Sequence, residues 1–465
     1  MLQISTNMIN FSDLSFIFRF LPIFLLVYYL VPAGYRAYIT IIGSLLFYAV
    51  GDFKSLGLFC ALIVINYLFS IKVKEHKKIL LILIVLLDVS VLMFYKLMVQ
   101  MGKFPSLPLG ISFFMFKMIS YQADMYKGKM KEMPRFSEVL LYFSLFPQVI
   151  SGPIMRYQDM KKNKIMTGME DRFLIFRDRL PIYLGKIEEG LAIFVMGLAM
   201  KVLIADRLSM MWNDIGTIGY ESISTPLAWA GVLCFSLELY FDFWGYSLMA
   251  SAVCVMMGYP FIINFDQPYA SKSVSEFYRR WHMTLGSWFK DYVYIPLGGS
   301  RNGDLRCAIN LFVVWLLTGI WHGISLNFFL WSGSLLLMIY FEKFLWSKND
   351  KLMAIVGRIH VLLFLPVTWV IFALTSSNDL CAYLLRLFPV KGPGIAVNPG
   401  DFGKIAGNYR YILAAGVILL IPQIFKYIYD HRRNWFVRLF LMILFWICAV
   451  VVSGKAGNPF LYFGF

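Results

Sequence analysis

Long apolar runs constrain this chain more than any other feature. They lie at 14–31, 37–50, 56–71, 79–98, 191–204, 226–256, 308–321, 324–344, 354–374, 411–428 and 435–452. A helix that crosses the hydrocarbon layer needs about 20 mostly apolar residues, because only internal hydrogen bonds satisfy its backbone there. Runs of this kind predict an all-α bundle with roughly 11 membrane spans. A transmembrane barrel would alternate apolar and polar residues, and the runs do not. Only 15% of the 465 residues are charged and 59% are hydrophobic, against about 25% charged in a soluble domain. That leaves too little polar material to coat a soluble enzyme, and it excludes a disordered chain or a disulfide-rich module. Two segments, 107–121 and 139–150, are short for a simple crossing and are expected to be tilted, broken or re-entrant. Gly245 and Gly258 are candidate breaks in the 226–256 run.

The net charge is +16. Basic residues cluster in short loops between apolar runs, which points to cytoplasmic loops and anionic headgroups rather than to nucleic acid. Lys72, Lys74, Lys77 and Lys78 share one loop, which is therefore placed in the cytoplasm with the N-terminus outside. Residues 127–135 and 156–186 are also basic. The first apolar run lacks a small-residue exit and is expected to be an uncleaved span, with Met8 as an alternative start. Cys60, Cys234, Cys254, Cys307, Cys381 and Cys448 are scattered without a C-x-x-C pair, so they are expected to be small buried hydrophobes and no metal site is predicted. One membrane domain over 1–465 is the simplest organisation.

Residues 264–306 interrupt the hydropathy. Ser273 and Glu276 form a capping-box pattern, and a short helix is expected to follow, with Phe277, Trp281, Leu285, Trp288 and Phe289 on one face. Arg279, Arg280 and Lys290 are interleaved. This fits either an interfacial anchor or the floor of a cavity. His282 lies inside the expected helix. A second histidine, His322, sits beside Trp321 between two apolar runs, flanked by Gly319 and Gly323. A titratable group at such depth is costly, so both histidines are candidate functional residues, with helix packing the alternative. His76, His360 and His431 look ordinary. Asp88 lies inside an apolar run. Glu238 and Asp242, four apart, share one helix face and are expected to pair with Lys201 or with the arginines near His282. The sequence carries no phosphate-binding glycine loop, no Asp-x-Asp, no complete G-x-S-x-G and no H-x-x-x-x-D.

Several strings now stand in one order: FSDLSFIFRFLP at 11–22, PLGISFF at 108–114, ISYQADMY at 119–126 and FPQVISGPIMR at 146–156. YFDFWGY at 240–246, RRWHMTL at 279–285, WFKDYVYIPLGGSR at 288–301, LTGIWHG at 317–323 and PFLYFGF at 459–465 follow. In this order and spacing the chain resembles the membrane-bound O-acyltransferases, and among them the bacterial alginate O-acetyltransferase type. The YIPLGG string separates it from the related teichoic-acid D-alanyl transfer proteins. Met115, Lys117, Trp244, Leu248 and Leu326 depart from the usual pattern of that branch.

The resemblance implies a ring of helices and short re-entrant or interfacial helices around a central tunnel, in a bacterial cell membrane, with 264–306 as the cytoplasmic-side active-site segment. It implies that catalysis depends on His322 and that His282 is the second polar site. In the expected chemistry a histidine takes the proton of a hydroxyl that attacks an acyl thioester. His322 is assigned that role. His282 would orient the acceptor or donor, or stabilise the oxyanion. Arg279, Arg280, Lys290 and Arg301 are candidate donor-binding groups, and Asp242, Glu238, Trp281 and Trp321 candidate tunnel residues. No permanent cofactor is expected. Acetyl-CoA or another acyl thioester, free or on a carrier protein, would be the donor. An extracytoplasmic partner, an SGNH-like acetyltransferase, would complete transfer to a polysaccharide. D-alanyl transfer to teichoic acid and non-catalytic transport of an acyl carrier or lipid are the alternatives.

Overall fold

The computed structural model describes residues 10–150, 152–163, 176–346, 350–389, 397 and 400–454. The string at 459–465 lies outside the described residues. These are built from helices, with no strand among the described residues. Among the described residues seven helices are long and apolar enough to cross a membrane, or eight if the bent pair Asp401–Ile418 and Pro422–Asp430, 69° apart, is one span. The chain is a multi-pass membrane protein.

The chain divides into two compact units, one of residues 1–198, 246–263 and 432–464, the other of 199–245 and 264–431. The boundary falls inside one helix, Thr225–Met256, which is not broken at Gly245 and ends before Gly258.

In the first unit the runs 37–50 and 56–71 form one 41-residue helix, Ala33–Val73, kinked at Asp52. Asp52 has extended backbone (φ −155°, ψ 79°), and its carboxylate accepts from the Ser55 N–H (3.1 Å) and the Leu109 N–H (3.1 Å). The side chain thus caps the stretch that follows, as a short acid does at a helix start. At about 1.5 Å per residue the unkinked helix would be about 60 Å long, twice the hydrocarbon thickness. The kink at Asp52 falls between the two apolar runs, 37–50 and 56–71. The first run is shorter than expected: Phe16–Leu30 falls below the length of a crossing.

The short segment 107–121 becomes the buried helix Ile111–Tyr126. Gly110, at its start, has φ +65°. A Cβ there would collide with the Val149 carbonyl, so only glycine admits this approach. The 139–150 segment is broken at Leu145 into Phe136–Ser144 and Phe146–Val149. Two polar groups singled out in the sequence, Asp88 and Lys117, find partners inside this unit. Asp88 accepts from Asn66 Nδ2 (3.0 Å), and Gln122 Nε2 donates to Asn66 Oδ1 (3.0 Å). Lys117 donates to the Tyr142 carbonyl and to Gln148 Oε1, and lies 4.6 Å from the Tyr142 ring centroid.

In the second unit, Gly303–His322 packs against Leu326–Tyr340, and Leu326–Tyr340 against Leu365–Ala373. Asp206–Ile218 packs on Asp401–Ile418. These helices carry the candidate site.

Candidate active site

The polar interruption folds as two seven-residue helices, Val274–Arg280 and Met283–Phe289, not as one. This corrects the expected single helix: His282 lies at the break, with left-handed backbone (φ 45°, ψ 53°). Non-glycine residues rarely adopt that conformation, so it needs outside support. Asn264 supplies it. Its carbonyl accepts from the Met283 N–H (2.9 Å), while the Asp266 N–H donates to the Arg280 carbonyl (2.9 Å). The Asn264 side chain acts on the same residues: Oδ1 accepts from the Thr284 N–H (3.1 Å), from Thr284 Oγ1 (2.9 Å) and from His282 Nδ1 (3.2 Å).

Ser273 caps the first helix by accepting from the Glu276 N–H (3.0 Å). Glu276 reaches back to the Lys272 N–H (2.9 Å), one residue beyond the Ser273 N–H of the expected box. A second acid completes the anchor. The carboxylate of Glu342 accepts from the Val274 N–H (2.8 Å) and the Ser275 N–H (3.3 Å), and Oε1 meets His360 Nδ1 at 3.2 Å. His360, unremarkable in sequence, is buried and holds this clamp.

His282 is 4% exposed, and the edge of the Phe243 ring meets it at 4.7 Å between centroids. His282 lies outside the membrane-length helices, and burial pushes its imidazole down to about 3, so it is neutral near pH 7. His322, 8% exposed, ends the Gly303–His322 helix. Trp321 (4.4 Å), Trp331 (4.9 Å), Phe372 (5.0 Å) and Phe328 (6.0 Å) surround its ring.

The two histidines join through indoles. Trp281, next to His282, lies 5.1 Å from Trp369, Trp369 lies 5.9 Å from Trp331, and Trp331 faces His322. Trp281 and Trp321 thus become walls of one aromatic site. Trp331 and Trp369 were not singled out in sequence, since a tryptophan in an apolar run gives no local signal of what it faces.

Asp242 and Glu238 are buried on Thr225–Met256, and the partner of Asp242 is Lys201, not an arginine. Lys201 Nζ lies 2.7 Å from both Asp242 and Asp206. Asp242 adjoins Phe243 in sequence, so the ionic cluster lies one residue from the His282 contact. The four candidate donor-binding cations differ. Arg280 pairs with Glu276 (2.8 Å) and approaches Asp266 (3.8 Å). Arg279, Lys290 and Arg301 are exposed. In the YIPLGG string, Gly298 and Gly299 take positive φ, and the Gly299 carbonyl accepts from Asn310 Nδ2 (2.8 Å), closing the turn before Gly303–His322.

The model of the MBOAT, membrane-bound O-acyltransferase, family fits residues 40–384, and the chain belongs to that family. It is similar to proteins named "Probable alginate O-acetylase AlgI". That of Pseudomonas putida is 34% identical over 98% of this chain and 100% of its own length. That of Pseudomonas syringae pv. tomato is 36% identical over 70% of this chain, and the match spans only 64% of that relative. A "Peptidoglycan O-acetyltransferase" of Helicobacter pylori is 34% identical over 69% of this chain and 68% of its own length.

Proposed function

We propose that this protein is an O-acyltransferase of a bacterial plasma membrane. It takes an acetyl group from a cytoplasmic thioester and passes it toward an extracytoplasmic polysaccharide or cell-wall glycan. The observation that carries this reading is the pair of buried histidines, His282 and His322, joined by Trp281, Trp369 and Trp331 within the matched region. Relatives named for O-acetylation, together with the YIPLGG turn, favour acetyl over D-alanyl. Transport without chemistry is disfavoured because the carboxylates that would suit it are engaged, Asp88 by Asn66 and Asp242 by Lys201.

His322 takes the proton of the attacking hydroxyl as the oxygen bonds to the thioester carbonyl carbon. The carbon–sulfur bond then breaks, and the thiolate leaves with that proton. One ester and one thiol form, with no net proton change. A hydroxyl is a weak nucleophile at its free pKa, and the base removes that obstacle. His282 orients the acceptor. Arg279, Lys290 and Arg301 hold the phosphates of acetyl-CoA, while Arg280 positions its own helix through Glu276. An SGNH-like partner on the outer face completes transfer to the sugar.

The test is His322→Ala in cells that depend on this protein, with acetate released from envelope polymer by mild alkali as the readout. General-base loss costs about 10²–10⁴ in rate, so acetate should fall to background at normal protein level. Unchanged acetate would remove His322 from the mechanism.

A further inference from the structure

Three donors converge on one oxygen, Oδ1 of Asn264, and one of them fixes the chemistry of the others. The Thr284 backbone N–H can only donate. The amide atom facing it must therefore be the oxygen, which settles an orientation that side-chain partners alone would leave open. That oxygen can only accept from His282 Nδ1, 3.2 Å away. In a neutral imidazole one nitrogen donates and the other accepts. The proton then sits on Nδ1, and Nε2 carries the lone pair. Asn264 is 3% exposed and His282 4%. His282 Nε2 and Asn264 Nδ2 have no hydrogen-bond partner among the described residues. The pair thus leaves one buried acceptor and one buried donor, the complement of an alcohol, which donates through its hydrogen and accepts at its oxygen.

From this geometry we propose that Asn264 is a positioning residue for the acyl transfer: it holds His282 in the Nδ1–H tautomer, so that Nε2 accepts a hydrogen bond from a hydroxyl of the acceptor other than the attacking one, whose proton goes to His322. This rests on the acyltransferase reading above. It chooses between the roles open to His282. A neutral ring whose only N–H is spent on Asn264 has none to give an oxyanion, so His282 orients the acceptor rather than stabilising the tetrahedral intermediate. The left-handed backbone of His282 serves the same end, because it turns the residue out of the helix and against the Asn264 segment.

The experiment reads the tautomer directly and needs no turnover. The full-length protein is labelled with ¹⁵N-histidine and reconstituted in phosphatidylethanolamine/phosphatidylglycerol vesicles at pH 7. Solid-state NMR separates protonated from unprotonated ring nitrogens, and the His282 signals are those lost in His282→Gln. The expected result is a protonated Nδ1 and an unprotonated Nε2. An Nε2–H tautomer, or a mixture, overturns the proposal whether or not the protein transfers acetyl groups.

A second arm separates positioning from mere folding. Asn264→Asp keeps the acceptor oxygen and adds a charge, which favours the imidazolium. A protonated His282 should then appear at a pH where the wild-type ring is neutral, and the pH profile of acetyl transfer from acetyl-CoA should shift upward. Asn264→Ala should lower kcat about 10- to 100-fold, as loss of a ring-orienting partner does elsewhere, with KM for acetyl-CoA unchanged. A wild-type pH profile in Asn264→Asp, with the His282 signals unmoved, overturns the assignment. Loss of transfer in every variant and in wild type, with the expected tautomer present, refutes the acyltransferase reading, and with it the role in transfer, while the Nδ1–H tautomer held by Asn264 stands.

Discussion

Lys201 is where the physical account can be pressed hardest. Its side chain is 6% exposed, and its ammonium lies 2.7 Å from two carboxylates, Asp242 at 2% and Asp206 at 18%. Glu238 stands one turn before Asp242 on the same buried face. Lys201→Met preserves most of the side-chain volume and removes the cation that lies beside both Asp206 and Asp242. Asp206 and Asp242 then lose their counter-ion next to a third acid. Removing one partner of a buried pair costs about 3–5 kcal/mol, since the remaining charge stays uncompensated. Asp242→Asn should cost less, because Lys201 keeps Asp206. The double variant Lys201→Met/Asp242→Asn should recover part of the loss, because the most buried charge goes with its partner. The assay is thermal unfolding in detergent, read by a thiol-reactive dye at Cys234, which is buried on the same helix. At about 2–4 °C per kcal/mol, Lys201→Met should melt on the order of 10 °C early. A midpoint within a degree or two of wild type, or a double variant worse than the sum of the singles, would refute the claim that this ion pair organises the cluster.

Two further outcomes follow from the site. His282 is neutral when folded, with its pKa pushed below the ordinary value by burial. The unfolded chain therefore binds the extra proton, and stability from the buried ring is full above about pH 6.5 and declines as pH falls toward about 3. Compared with His282→Gln, the wild type should lose about 1.4 kcal/mol per pH unit across that window, and parallel stability curves in acid denaturation would contradict it. Separately, Arg279→Gln, Lys290→Gln and Arg301→Gln should each raise KM for acetyl-CoA about 2- to 5-fold, as expected of an exposed ion contact, with kcat unchanged and the salt dependence of KM reduced. A fall in kcat at constant KM would take these cations out of donor binding.

The order of apolar runs displayed the membrane class, and the two histidines stood out because ionisable groups are rare among such runs. What stayed hidden was mostly non-local. The kink at Asp52 joins two runs through a carboxylate that also binds Leu109, 57 residues away. The break at His282 could not be read from RRWHMTL, whose pattern is helical throughout. It depends on Asn264, 18 residues earlier. Glu342 did carry a local signal, an acid near the end of an apolar run, but its partners at Val274, Ser275 and His360 lie in two other segments. Lys117, a departure from the usual pattern of the branch, is tied to Tyr142 and Gln148, which lie in another segment. The aromatic wall was the least legible part, since Trp331 and Trp369 differ from other apolar residues only in what they meet.

That wall bears on selectivity between nucleophiles. An activated thioester can be lost to water as readily as to a sugar hydroxyl, and water is the more abundant competitor. Around His322 the neighbours are two phenyl rings, Phe328 and Phe372, and two indoles, Trp321 and Trp331. Such faces offer stray solvent few hydrogen-bonding sites, whereas an acceptor that brings its own binding energy can displace what little water enters. In the proposed reaction the indoles would act as a hydrolysis guard, and thinning them, at Trp331 for instance, should make the protein waste its donor before it stops transferring it.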